Sequence, residues 1–369
     1  MKIIPFFIMI MLLTTTVIVH AENRQEVTLK GSWVVEADGS GMLDPQTSGL
    51  KAWRGKLLSL SDASADQSQQ KQLHVINSLT GELTNIAMPI VLSDAIKKSC
   101  FANYLQASPD LEGLAVDPEH DNIFYVVTED ARIGGELSSA CQQRFKNTGS
   151  TAFPSLLLRL ALQPDNRVLI THVRPIQFDA TFNIGNSPND GIEGVAFGQN
   201  NMLYLALEKD SHKSARIFSL KITKDFWLSD DFIAVEDPQL SMPLFEKGNH
   251  PINGLDYLAV KDHPGYLVAA ARNDNQLWFI DIAKKAPTTV VHMNFLAPTN
   301  AVGENCNQWD VLNNTSIEGV AVKGNEVWLI NDPWKKHYLD NIQCKSNAEK
   351  FRNFVPLIFS LPINTAWLK

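Results

Sequence analysis

Three stretches of the chain place a carboxylate at the same point of the same short phrase: Leu111-Glu112-Gly113-Leu114-Ala115-Val116, Ile192-Glu193-Gly194-Val195-Ala196-Phe197 and Ile317-Glu318-Gly319-Val320-Ala321-Val322. In each, a second apolar run follows after a few turn residues and ends in a polar cluster: Glu129-Asp130, Glu208-Lys209-Asp210 or Asn331-Asp332. Two weaker copies open with Asn253-Gly254 and Ser48-Gly49, and their second runs end at Arg272 and Asp62. Carboxylates gathered at close range raise one another's pKa unless a cation neutralises them. An all-oxygen set of Glu, Asp and Asn suits Ca²⁺. The candidate ligands are Glu112, Glu193, Asn253 and Glu318, joined by Asp130 and Asp332. A simpler alternative stands beside this one, in which each Glu accepts hydrogen bonds from backbone amides of the preceding turn.

Such residues meet only if the fold brings distant segments together. The openers fall at 48, 112, 193, 253 and 318, intervals of roughly 60–80 residues, and the repeated unit is an antiparallel hairpin. Repeats of short β-branched and aromatic runs fit an all-β fold, a single β-propeller of five or six four-stranded blades. In that architecture the first strand of each blade lines the central channel, so the openers converge at one mouth. Third strands are expected at 156–160, 217–222, 277–282 and 356–361, and fourth strands at 168–173 and 232–235. Turn residues such as Asp117-Pro118, His263-Pro264-Gly265 and Lys323-Gly324-Asn325 fall where hairpins must reverse. The last blade is short by one strand, and Val27 to Glu36 is expected to supply it and close the ring. Trp278 and Trp328 lie inside strands and are expected to pack blade against blade.

The 369-residue chain opens with Lys2 and an apolar run from Ile3 to Val19, followed by Val19-His20-Ala21. This reads as a signal peptide over 1–21, cleaved to leave a propeller domain over 22–369 in the periplasm or outside the cell, with no membrane association afterwards. Net charge is −8 with no basic run, a poor match to nucleic acid. Cys100 and Cys306 stand twelve residues before Glu112 and Glu318, and Cys141 and Cys344 follow those same glutamates. Four cysteines allow three connectivities, and this symmetry favours Cys100 with Cys141 and Cys306 with Cys344. Exported proteins are where such bonds persist.

Two long connections, 131–153 and 333–353, emerge on the face that carries the openers. Loops over a central mouth are where binding concentrates. Arg132, Lys209, Arg272 and Lys335 are candidates to hold an anionic ligand, a small phosphate or ester. Glu129, Glu208 and Asp210 are the acids available as a general base. The chain has no Gly-x-Ser-x-Gly elbow, no His-Glu-x-x-His and no phosphate-cradling glycine loop. Lone histidines such as His250 are expected to be satisfied or at the surface.

At the Glu-Gly-Leu/Val-Ala segments and the run Tyr204-Leu205-Ala206-Leu207-Glu208-Lys209-Asp210, the chain resembles the phytase-like propellers, the family called "esterase-like activity of phytase". The resemblance extends over roughly residues 45–362, and the SdiA-regulated propellers share the Glu-Gly hairpin. It implies an exported propeller with calcium-dependent phosphoesterase or esterase activity. The chain is also similar to gluconolactonase and paraoxonase propellers, whose central Ca²⁺ ligands are placed like Glu112, Glu193, Asn253 and Glu318. That likeness implies a lactonase-type hydrolase as a further alternative. Ser48 departs from both patterns, where an acid is expected. A binding or scaffold propeller with a structural calcium is the reading from outside enzymology.

Overall fold

The computed structural model describes residues 25–129, 137–149, 154–185, 191–245, 247–300 and 306–368. The expected signal peptide, Asp130 and Arg132 lie outside these residues. Two strands come first, β1 (Gln25–Lys30) and β2 (Ser32–Trp33). The first blade is β3 (Thr47–Trp53), β4 (Lys56–Ser61), β5 (Gln72–Ile76) and β6 (Met88–Leu92). The second is β7 (Leu111–Val116), β8 (Ile123–Thr128), β9 (Leu156–Leu162) and β10 (Val168–Gln177). The third has β11 (Ile192–Phe197), β12 (Met202–Leu207) and β13 (Arg216–Lys221), followed by the short β14 (Ile233–Ala234). The fourth is β15 (Ile252–Leu258), β16 (Tyr266–Ala271), β17 (Gln276–Asp281) and β18 (Thr289–Pro298), with β19 (Trp309–Leu312) paired to its edge. The fifth is β20 (Ile317–Lys323), β21 (Glu326–Asn331) and β22 (Leu357–Pro362).

Among the described residues five inner strands, β3, β7, β11, β15 and β20, surround the axis, so the expected five or six blades are five there. A single glycine position makes closure possible. A Cβ on Gly49 would stand 2.7 Å from Leu114, on Gly113 2.7 Å from Val195, on Gly194 2.8 Å from Leu255, on Gly254 2.3 Å from the Glu318 carbonyl and on Gly319 2.6 Å from Leu50. Each of these glycines therefore abuts the next inner strand, and the fifth returns to the first. Only a residue without a side chain lets the backbones approach so closely.

The core lies between blades. Leu, Ile, Val and aromatic side chains on the two faces of each sheet are buried against the neighbouring blade, with Trp278 and Trp328 among them as expected. Apolar residues run continuously through the second strands, as in Ile123–Thr128 and Tyr266–Ala271, because these strands are covered on both faces.

Three expectations need correction. The closing segment is two strands, not one: β1 runs parallel to β18 of the fourth blade, and β2 pairs with β22 of the fifth. The chain steps between the blades at Gly31, where a Cβ would meet the Phe359 ring at 2.7 Å. The third blade has only three full strands, since β14 pairs with β10 of the second blade and a lone Ser219–Glu236 bridge touches β13. Finally, the connection before the third strand is not irregular throughout, for Ser139–Arg144 forms a helix capped by the Ser138 hydroxyl, and Ala348–Arg352 forms another in the fifth blade. Both expected disulfides are present, Cys100–Cys141 and Cys306–Cys344, with Cα atoms 5.6 and 5.7 Å apart. They tie these long connections to the segments ahead of β7 and β20 and mark an extracytoplasmic protein. Among the described residues no helix is long and apolar enough to cross a membrane.

Candidate metal centre

The residues that matter sit in bulges. In β11 the partners of Ile192 and Gly194 on β12 are the adjacent Leu207 and Ala206, so Glu193 is the extra residue. The same register shift occurs between Ile252 and Gly254, between Ile317 and Gly319, between Leu111 and Leu114, and between Thr47 and Leu50. A β-bulge leaves its extra residue out of the ladder and re-aims its side chain. Glu193, Asn253 and Glu318 are the single residues so freed, and in β7 and β3 the unpaired stretches are Glu112-Gly113 and Ser48-Gly49, so that one polar side chain from each blade joins an inner collar.

A second collar follows from the hairpins. The residue after each second strand is Asp62, Glu129, Glu208, Arg272 or Asp332. In four blades its N–H donates to the carbonyl two residues before the bulge: Asp62 to Gln46 (3.0 Å), Glu129 to Asp110 (3.2 Å), Glu208 to Gly191 (2.9 Å) and Asp332 to Ser316 (2.7 Å). In these four blades one backbone bond thus sets the two collars in register.

Three carboxylate groupings result, each with candidate ligand oxygens within 4.8 Å of one another: Glu112, Glu193 and Glu318; Asp110, Glu112 and Glu129; and Glu129, Glu193 and Glu208. All but Asp110 are buried. Burial, then the charges of Glu193, Asp110, Asp62 and Glu129, raise the pKa of Glu112 well above the carboxylate range. Burial and then Glu129, Glu318 and Glu208 do the same to Glu193. Asp332 is raised by burial, Glu318 and Asp62, and Asp62 is pushed up to about 7 by burial and Asp110. Glu318 is raised by burial but opposed by the Arg272 guanidinium, which donates to it directly. Arg272 also lies 3.6 Å from Glu208. Among the described residues only Arg272 and, at Glu208, Lys209 bring positive charge to these acids, too little to balance them, which leaves the collars needing protons or a metal.

The neutral members carry independent weight. Both side-chain polar atoms of Asn253 lack a hydrogen-bond partner although the residue is only 1% exposed, and the Ser48 hydroxyl and one Asp332 carboxylate oxygen are likewise buried and unpartnered. Buried polar atoms are almost always satisfied. Orphan oxygens from three blades, facing a ring of glutamates, fit a hard cation with oxygen ligands. Glu112, Glu193, Glu318 and Asn253 would hold it, with Ser48 and Asp332 able to contribute.

The other candidates are placed differently. Glu129 and Glu208 belong to the outer collar, but Asp210 stands outside the three groupings, accepting from the amides of His212 (2.9 Å) and Ser214 (3.1 Å) and facing Arg216 at 3.5 Å. It shapes the turn after β12. Lys209 pairs with Glu208 at 3.3 Å, and Lys335 with Asp44 at 2.9 Å and the Ser64 carbonyl at 2.6 Å. Of the cations expected to meet a ligand, Lys209, Arg272 and Lys335 are thus first engaged by protein acids. His250 is satisfied as expected, by Asp274 (2.8 Å) and the Lys247 carbonyl (2.8 Å). Asp62, which ends the second run of the Ser48 copy, was not among the expected ligands, and Asp110 was not expected at the site at all. The repeat alignment marks Asp62 as the counterpart of Glu129, Glu208 and Asp332, whereas nothing in the repeat marks Asp110.

Below the collars the axis is nearly filled. The space between the inner strands is only about 10 Å³, room for about one water molecule. Lys51, buried on β3, reaches across to the Leu255 carbonyl (2.5 Å) and to Asp256 (2.7 Å), whose other oxygen accepts from the Val322 amide (2.7 Å). This pair blocks the channel three residues below the bulges.

No known family matches the chain, and no curated protein matches its sequence. Solved structures similar to it include the PQQ-bound aldose sugar dehydrogenase of Streptomyces coelicolor, 12% identical over 89% of this chain and 96% of that one, with a TM-score of 0.41. The allergen Mala s 1 of Malassezia sympodialis is 10% identical over 87% and 94%, with a TM-score of 0.47. Streptogramin B lyase is 12% identical over 87% and 95%, with a TM-score of 0.35. None of these comparisons shows the phytase-like family, and none bears on chemistry.

Proposed function

We propose that the double collar is a divalent-cation site, calcium by its donor set, in a periplasmic or secreted propeller that hydrolyses a small phosphate or carboxylic ester. The single observation behind this is the convergence of buried, charge-starved glutamates with the unpartnered Asn253 and Ser48 side chains. A bound Ca²⁺ would supply Lewis-acid polarisation of a phosphoryl or carbonyl oxygen. Glu129 and Glu208, at the outer edge of the collar, are the carboxylates available to accept a proton from water. Arg272 offers the remaining donors of its guanidinium to a ligand's anionic oxygen. Substrate enters only from the loop face, since Lys51 and Asp256 close the other end.

A second reading rests on the narrowness of the site. The cavity beside Arg272, lined by Asn313, Asn314 and Trp334, measures about 160 Å³, below the roughly 300–1,000 Å³ of most small-molecule sites. A structural calcium in a binding propeller would need no more room. Thermal unfolding with calcium and with chelator, together with turnover of phosphate esters, acyl esters and lactones, separates the two. The expected result is a calcium-dependent rise in Tm that is lost in Glu112→Gln/Glu193→Gln, a variant whose chelated form unfolds no earlier than the parent. Hydrolysis that disappears in the same variant supports the enzyme, and calcium stabilisation without hydrolysis supports the binder. Equal Tm with calcium and chelator in the parent would end both.

A further inference from the structure

The incomplete third blade leaves a second concave site away from the axis. Where the other blades have a fourth strand, β13 is touched only at Ser219, and the chain from Asp237 onward passes over its beginning toward the fourth blade. Between them lies a cavity of about 480 Å³, within the range that accepts small molecules, roughly 300–1,000 Å³.

Its walls are of two kinds. Ile217, Leu240, Met242 and Trp278 make an apolar floor. Phe245 lies at the rim with its ring stacked on His250 at 3.6 Å and tilted against Trp278 at 5.8 Å. His250 is itself fixed through both ring nitrogens, so this rim is held in place. Of the cations lining the cavity, Arg216 is held by Asp237 at 2.6 Å and Asp210 at 3.5 Å. Lys213 and Lys247 are exposed, and neither ammonium has an ion-pair or hydrogen-bond partner among the described residues. Two exposed ammonium groups without an ion-pair partner among the described residues thus stand beside an apolar floor, on a chain whose net charge is −8. Their complement is an anion with a hydrocarbon body, since Lys acts as a point charge toward carboxylate or phosphate while apolar surface is buried beneath it.

We propose that this cavity binds an amphipathic carboxylate of medium chain length, its hydrocarbon part over Met242 and Trp278 and its charge toward Lys213 and Lys247. The site is separate from the collars and does not rest on their metal.

Titration calorimetry of the full chain with decanoate below its micelle concentration tests this, with decyltrimethylammonium as the cationic counterpart. Decanoate is expected to bind one to one, and decyltrimethylammonium at least tenfold more weakly. Lys213→Ala/Lys247→Ala, which alters only exposed side chains, is expected to weaken decanoate tenfold or more. Ala215→Trp, which fills the cavity, is expected to abolish binding, and the calcium-dependent Tm shift stays unchanged in both variants. The proposal is overturned if the parent does not bind decanoate, if the double lysine variant keeps its affinity, or if the cationic amphiphile binds equally well. Should Ala215→Trp fail to fold, the lysine variant alone decides.

Discussion

Glu112, Glu193 and Asp332 are held out of water among their own kind, and their protonation therefore belongs to the folding equilibrium. A carboxylate whose pKa rises on folding binds protons more tightly in the native state. Its stabilising contribution is complete below the unfolded pKa and is lost as pH climbs through the folded one. For Asp62 this window runs from its ordinary 3.8 to about 7, and the buried glutamates act in the same direction. In chelator the protein is accordingly expected to melt higher at about pH 5 than at about pH 8. Calcium competes with those protons, so the calcium-induced shift should grow over the same interval. A Tm in chelator that rises from acid to alkali would show that the collar does not govern the pH dependence. Arg272 tests the same electrostatics from the other side. Arg272→Gln removes the guanidinium from Glu318 and Glu208, which is expected to lower Tm in chelator, enlarge the calcium shift and tighten calcium binding measured by calorimetry. Unchanged calcium affinity would mean that Glu318 is not a ligand.

Each inner strand does two jobs within three consecutive residues. The bulge turns one side chain toward the mouth, and the glycine after it lets the next blade approach. Gly254→Ala would bring a Cβ to 2.3 Å from the Glu318 carbonyl and 2.9 Å from Val320. Overpacking of this kind costs about 1–3 kcal/mol, occasionally more. Because the displaced carbonyl belongs to a collar residue, calcium stabilisation should weaken as well. Gly324→Ala, in a hairpin turn at φ +63° with open space around it, costs only left-handed backbone strain, about 1–2 kcal/mol, and leaves the calcium shift intact. Urea unfolding of both variants, with and without calcium, measures the difference. Equal behaviour would remove the glycine ring from the account of closure.

At the scale of the whole molecule, the ring is completed by a segment far from the last blade in sequence. β1 covers the edge of β18, and β2 covers β22, with Trp33 buried edge-on to Phe351 at 5.2 Å. Uncovered strand edges are templates for association. Deleting residues 25–33 is expected to lower Tm and to produce concentration-dependent aggregates by light scattering, even though no collar residue is removed. A truncated chain that stays monomeric at the parent's Tm would show that the fifth blade closes without them. The disulfides fasten two long connections to the segments ahead of β7 and β20.

Hairpin periodicity, turn residues and the repeated Glu-Gly phrase were enough to place nearly every inner and second strand, both cysteine pairs and the meeting of Glu112, Glu193 and Glu318, because these depend on local pattern and on repetition of one unit. Asn253 and Ser48 were readable as members of that set, but not as orphaned polar groups, since the lack of a partner is a property of everything around a side chain. The split of the closing segment at Gly31, the loss of a strand from the third blade, the pairing of Arg272 with Glu318 and the Lys51–Asp256 block across the axis all follow from contacts between residues far apart in the chain. Such contacts have no period to read. Steric room and charge balance at close range decide them, and both arise only when the five blades are packed around one axis.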